Sequence, residues 1–216
     1  MAESGVQETQ PSPPHSSPAD AAACEFVPKD YFRRLEAGEV FHNERALEVD
    51  LGCGDGSFLV AMAQLHPDRN FLGVERLLGR ARKVSRRASR LGLDNIKVLR
   101  LEAKYTVEWL LGPHSAQRIH LLFPDPWPKA RHHKRRLVQQ PFLAAVATVL
   151  VPGGEFLFKT DDADYYEWAL EELEAFPGLD RKDWSEEDFP YAETDFERQW
   201  KAEGRDVYFL RGVSPA

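Results

Sequence analysis

Ala46-Leu-Glu-Val-Asp-Leu-Gly-Cys-Gly-Asp-Gly56 opens the regular part of the chain and decides how the rest is read. Its first six residues have the apolar and β-branched character of a buried strand. The glycines at 52, 54 and 56 predict a tight turn into an apolar-striped helix over 57–66. A β/α alternation then persists. Strands are expected at 70–75, 96–101, 118–123 and 155–160, with helices over 76–91, 104–111, 136–150 (despite Pro141) and 162–176. This pattern implies an α/β fold with a mostly parallel, doubly wound sheet and helices on both faces. After Phe176 the regularity weakens: 178–184 and 207–212 read as two last strands, with an acidic segment, 185–203, between them. Ahead of the glycine turn, Phe26, Tyr31, Phe32 and Phe41 sit among charges and read as a short helical lead-in over 25–44. Residues 1–24, rich in Pro, Ser, Ala, Gln and Glu, read as a disordered tail. That leaves 25–216 as one domain.

Composition narrows the function classes. Of 216 residues, 43% are hydrophobic and 29% charged, as in an ordinary globular protein, and the net charge is −7. An acidic chain does not coat nucleic acid over its whole surface, but it can carry a local basic face. Such a face is present, since 12 of the 28 Lys and Arg fall in two stretches, 76–90 and 129–136. Cys24 and Cys53 are too few for a disulfide framework and lack zinc-site spacing, which points to a reducing, cytoplasmic compartment and no metal. No apolar run reaches the roughly 18 residues of a membrane span, and no signal-peptide pattern opens the chain.

The chemistry concentrates at predicted strand ends. In Asp50-Leu-Gly-Cys-Gly-Asp-Gly56 the order GxGxG, preceded by an acid, differs from the GxGxxG of dinucleotide sites. An acid there repels a diphosphate and attracts an amine or a sulfonium, which favours S-adenosylmethionine over NAD. Glu75, at the end of the next strand, is placed to accept hydrogen bonds from both ribose hydroxyls. Glu102, past the third strand, is placed to meet the adenine amino group. After the fourth strand comes Phe123-Pro-Asp-Pro-Trp-Pro-Lys-Ala-Arg-His-His-Lys-Arg-Arg136, where two prolines hold Asp125 in a defined direction. The indole and five basic residues that follow suit a nucleobase beside a phosphate backbone. Asp161, after the fifth strand, either shares the positioning work of Asp125 or caps the helix that follows it. Trp127 either stacks on a base or anchors the loop. His132 and His133 have no metal-ligand partners at useful spacing. Arg76, Arg80, Arg82, Lys83, Arg86, Arg87 and Arg90 would join the 129–136 loop as a face for folded RNA.

On these residues the chain resembles the Rossmann-like class I S-adenosylmethionine methyltransferases. More narrowly, the Pro-Asp-Pro-Trp-Pro-Lys string, with Phe158-Lys-Thr-Asp161 and Thr194-Asp-Phe-Glu197, resembles the tRNA (guanine-N7)-methyltransferase family over about 45–212. The resemblance implies a cofactor pocket lined by Asp50, Gly52, Glu75, Glu102 and Asp125, with Asp125 the catalytic residue. It also implies that Lys129, Asp161, Thr194, Asp195, Phe196 and Glu197 contact the substrate guanosine and its surroundings. The substrate would be the variable-loop guanine of tRNA, and the active form a monomer or homodimer. Two positions depart from the family's usual pattern: Asp50 stands where members usually carry Glu, and Glu102 where they carry Asp or Asn. Two rivals are an RNA-binding protein that has kept the fold without the chemistry, and a methyltransferase for small molecules or proteins. The acids Asp50, Glu75 and Asp125 weigh against the first, and the basic loop against the second.

Overall fold

The computed structural model describes residues 24–36, 38–184 and 191–216. The expected disordered tail, Cys24 apart, therefore lies outside the described residues. Among the described residues eight strands form one sheet: β1 (Glu25–Phe26), β2 (Leu47–Leu51), β3 (Asn70–Val74), β4 (Ile96–Leu99), β5 (Ala116–Leu122), β6 (Leu150–Thr160), β7 (Asp180–Lys182) and β8 (Tyr208–Val213). Their order is β1-β4-β3-β2-β5-β6-β8-β7. The first six of these strands pair in parallel, and β8 adds antiparallel to both β6 and β7. The chain leaves β2 toward β3 on one side and returns to β5 on the other. The crevice above the carboxyl ends of β2 and β5 is thus the switch point where open α/β sheets bind ligands.

The helices are α1 (Ser57–Leu65), α2 (Leu78–Arg90), α3 (Gln140–Val149), α4 (Ala163–Glu174) and α5 (Asp195–Ala202). A helical turn over Ala103–Tyr105 runs into a π turn over Thr106–Leu110. Two apolar clusters lie on opposite faces of the sheet. One is built from α1, α2 and side chains such as Phe71, Ile96 and Val98. The other joins α3 and α4 to Val49, Leu51, Ile119, Leu121, Phe156 and Phe158. In α2 the buried positions Ala81, Val84, Ser85 and Ala88 follow helical spacing, so its arginines stay on the wet side.

Three sequence expectations need correction. Residues 25–44 do not form a helical lead-in: Glu25 and Phe26 pair with Val98 and Leu99 as an edge strand, and the described residues after them form bends and turns. The fourth-strand loop does not pass into a helix at Arg136. A 3-10 helix spans Ala130–Arg135, and α3 starts only at Gln140, because Pro141 fits a first turn, where its missing N–H has no partner to lose. Strand β6 begins at Leu150 rather than 155 and accommodates Gly153 and Gly154 beside a register shift at Ala116.

Gly56 joins the decisive turn to α2. Its φ is +77°, and a Cβ built there would lie 2.6 Å from Val84 Cγ2 and 2.7 Å from Cγ1. Val84 is β-branched, fully buried and held in one rotamer by its helix, so it has no room to retreat. Gly56→Ala is expected to lower stability by about 2–4 kcal/mol in urea unfolding, with strain and overpacking adding.

Candidate active site

The topology delivers one acid to the carboxyl end of each of five neighbouring strands. Reading across the sheet, Glu102 follows β4, Glu75 follows β3, Asp50 lies in β2 just before its end, Asp125 follows β5 and Asp161 follows β6. Register supports this grouping: Asp50 sits opposite Gly73 on β3 and opposite His120 on β5.

Asp50 is only 3% exposed. Burial, reinforced by the negative charge of Glu75, raises its carboxyl to about 7. Glu75 is itself buried and turned toward the glycine loop, accepting from Gly54 N at 3.2 Å and from Leu77 N at 2.7 Å. Gly52 and Cys53 both donate backbone N–H groups to Val74 O, at 2.8 and 3.0 Å, which turns the chain sharply over the end of β3. A Cβ at Gly52, where φ is +77°, would project into open space. A buried acid pair under a loop open on its far side fits a cationic ligand with hydroxyls, as S-adenosylmethionine is. Burial pushes the Cys53 thiol up, so it packs as a small apolar group rather than serving as a nucleophile.

Glu102 is exposed and caps the following turn, accepting from Tyr105 N at 2.7 Å. Its place beyond β4 matches the expected one, while its carboxylate already has a local partner.

The Asp125 loop is held in a strained path. Phe123 and Trp127 both have positive φ, 50° and 49°, which is unfavourable for residues of this bulk. The loop is pinned from both ends. Phe123 N donates to Lys159 O at 2.8 Å. Arg136 Nε donates to Pro126 O at 2.9 Å, and its guanidinium also pairs with Asp164 and lies over the Tyr165 ring. Arg136 is only 2% exposed, so the expectation that it belongs to an RNA-facing basic loop is corrected. It is a strut, because a guanidinium can donate in several directions at once. Trp127 acts as a loop anchor, with Arg135 over its ring at 4.8 Å and the edge of His132 at 5.9 Å. Asp125 and Lys129 stand exposed.

Asp161 pairs with Arg205 at 2.5 Å, and the capping role considered for it falls to Asp162, which accepts from Tyr165 N at 2.8 Å. Thr194 is the N-cap of α5, its Oγ1 accepting from Glu197 N at 2.9 Å. The acidic segment 185–203 thus contains a helix, with 185–190 outside the described residues. Asp195 and Phe196 are exposed, whereas Thr194 and Glu197 are buried. Glu197 turns inward to Lys159, at 2.8 Å.

Beneath the site lies a feature the sequence reading passed over. Glu48 and Asp50 on β2, Arg118 and His120 on β5, and Glu155 and Lys159 on β6 alternate with apolar residues and so share one sheet face. Glu48 is fully buried. Burial alone would raise its carboxyl, but His120, Arg118 and Arg69 outweigh it and hold it below the usual range. His120 Nε2 lies 2.8 Å from Glu48 Oε2, and Nδ1 lies 3.2 Å from the Tyr191 hydroxyl. Burial lowers the imidazole, and a neutral ring with its proton on Nε2 satisfies both contacts. The available signal was the recurrence of charged or polar residues two or four positions apart in otherwise apolar strands. Among the described residues no His, Cys, Asp and Glu cluster could hold a metal ion, and no helix is long and apolar enough to cross a membrane.

This sheet order, with acids at successive strand ends around the switch point, defines a Rossmann-like class I methyltransferase fold. Solved structures agree: a 16S rRNA methyltransferase, KamB, superposes with a TM-score of 0.59 at 21% identity over 81% of this chain and 90% of its own. The antibiotic-resistance methyltransferase Kmr gives 0.54 at 22% identity over 79% and 87%. The family described as "Putative methyltransferase" matches residues 44–210. Curated proteins named tRNA (guanine-N(7)-)-methyltransferase are similar along most of the chain. The one from Syntrophotalea carbinolica is 32% identical, covering 85% of this chain and 84% of its own, and that from Halorhodospira halophila is 40% identical over 75% and 72%. The chain belongs to the tRNA (guanine-N7)-methyltransferase family of S-adenosylmethionine-dependent enzymes.

Two outcomes follow from the geometry. A carboxyl raised to about 7 in the folded protein stabilises the fold below the ordinary aspartate range, and this contribution is lost as pH rises toward 7. A cationic cofactor binds the ionised form, so its affinity should rise roughly tenfold between pH 5.5 and 7.5 in calorimetric titration, and Asp50→Asn should flatten that rise. Arg136→Lys keeps the charge but loses the fork. It should cost about 1–3 kcal/mol in urea unfolding, against under about 0.5 kcal/mol for Arg135→Lys on the exposed side of the same turn.

Proposed function

We propose that the protein transfers a methyl group from S-adenosylmethionine to N7 of the variable-loop guanine of tRNA, in the cytoplasm, through a single domain spanning 25–216. The observation that supports the reading is the strained, doubly pinned loop that follows β5 and presents an exposed Asp125, β5 being paired with the strand that carries buried Asp50. The shared name of the curated relatives supports the substrate.

Guanine N7 carries an in-plane lone pair and no proton, so its alkylation needs no general base. S-adenosylmethionine, when bound, supplies the methyl group as a sulfonium. What remains for the chain is to orient the purine and exclude water. Asp125 accepts hydrogen bonds from the guanine N1–H and exocyclic amine, which fixes the ring and favours the positive charge that develops on it. Asp50, Gly52, Glu75 and Glu102 form the cofactor pocket, with Asp50 balancing positive charge and Glu75 accepting from hydroxyls. Lys129, Asp161 and the segment 194–197 stand around the guanosine, Thr194 and Glu197 from beneath. The exposed basic residues of α2 and of 129–135 meet phosphates, which makes tRNA affinity steeply salt-dependent.

Labelled S-adenosylmethionine and unmodified tRNA should yield a product that aniline cleaves at 7-methylguanosine. Asp125→Ala should keep cofactor affinity within about tenfold while lowering methylation by about a hundredfold or more. Unchanged methylation in that variant would remove Asp125 from the mechanism.

A further inference from the structure

The C-terminal end of α5 holds two residues outside the proposed machinery, Trp200 and Arg205. Gly204, with φ at +70°, closes the helix: its N–H donates to Lys201 O at 3.1 Å, and Arg205 N donates to Trp200 O at 2.9 Å. This paired closure brings the side chains at 200 and 205 together, commonly as an apolar contact. Here it sets a guanidinium on an indole, with Arg205 Cζ 4.0 Å from the Trp200 ring centre. Arg205 Nη2 also reaches Asp161 Oδ2 at 2.5 Å, past the end of β6. On its other side Trp200 stacks on Phe196 at 6.3 Å, and Phe196 lies 6.1 Å from Phe123, which opens the Asp125 loop. We infer that Trp200 and Asp161 form a slot for the substrate guanine, the ring stacking the base and the carboxylate accepting from its exocyclic amine, and that Arg205 fills this slot until the base displaces it.

The fit is chemical. A guanidinium is flat, stacks on aromatic faces and donates from adjacent N–H groups. The Watson–Crick edge of guanine repeats that pattern, with N1–H next to the amine on a flat ring. Adenine, cytosine and uracil lack two neighbouring donor groups there. The amine also has a second hydrogen, which Asp125 leaves free for Asp161. Arg205 is held loosely enough to leave. Its side chain is 44% exposed and that of Asp161 22%, and an exposed ion pair with an exposed cation–π contact favours the filled slot by only about threefold to thirtyfold. Moreover, Trp200 Nε1–H is buried with no acceptor among the described residues. An arginine has no acceptor to offer it, whereas a nucleoside brings several oxygens.

The inference rests on the proposed function for the identity of the base, but its test needs no methyl transfer. Guanosine is titrated into the full-length protein, labelled with ¹⁵N and without cofactor, while the Trp200 indole N–H signal is followed. Guanosine should shift that signal, and Arg205→Ala should tighten its binding by about threefold to thirtyfold, the occupancy it removes. In the Arg205→Ala background, adding Asp161→Ala should weaken guanosine at least about tenfold. Inosine, which lacks the exocyclic amine, should lose less than about threefold. A Trp200 signal that guanosine leaves in place, a gain below about threefold in Arg205→Ala, or an Asp161→Ala loss as large for inosine as for guanosine overturns the slot. The two readings fail separately. Guanosine bound as expected by a protein that methylates no tRNA keeps the slot and sinks the proposed function; tRNA methylation with an unmoved Trp200 signal sinks the slot alone.

Discussion

Charged side chains inside a sheet must find partners there or not be buried at all, and this requirement organises the half of the molecule that carries the site. On one face of β2, β5 and β6 the chain places Glu48, Asp50, Arg118, His120, Glu155 and Lys159, where a parallel sheet ordinarily presents apolar residues to a helix. All but one are matched within the protein. Glu48 is held by His120, Arg69 and Arg118, Glu155 by Arg118 and Arg211, and Lys159 by Glu197. Asp50 is the exception: its strongest electrostatic neighbour, Glu75, has the same sign. A buried acid facing another acid is an arrangement that a bound cation completes.

The same logic explains why the substrate side is held by buried struts and not by the exposed cations that first draw attention. Arg136 reaches the carbonyl of Pro126 and the side chain of Asp164, which fixes the far end of the Pro-Asp-Pro loop on α4. Phe123 fixes the near end on β6. Between these points the backbone adopts left-handed geometry at two bulky residues, an expense that only a surrounding structure with fixed partners sustains. Asp125 is therefore presented by the loop's path, with no side-chain hydrogen bond of its own among the described residues, which suits the role proposed for it.

The departures from the family's usual pattern gain meaning from this setting. Asp50 is one methylene shorter than the Glu usual at its position, and it sits deep in β2 opposite His120 and Gly73, so its carboxyl stays buried. Glu102 is one methylene longer than the usual Asp or Asn and curls back to accept from Tyr105 N, as the N-cap of the turn that follows.

From the sequence alone, the strand-turn-helix at 46–66, the parallel alternation and the acids at strand ends were legible, because side-chain period and glycine spacing are local properties of the chain. Asp50, Glu75, Asp125 and Asp161 could be placed at strand ends for that reason. Tertiary structure alone decided which of the charges in 129–136 and 194–197 point to solvent and which are interior. Arg136, Glu197 and Thr194 are written in the same polar alphabet as Lys129 and Asp195, and only the packing of α4 and α5 against the sheet separates them. The strand at 25–26 was hidden similarly. A two-residue edge is shaped by the neighbour it pairs with, β4, which lies some seventy residues further along the chain.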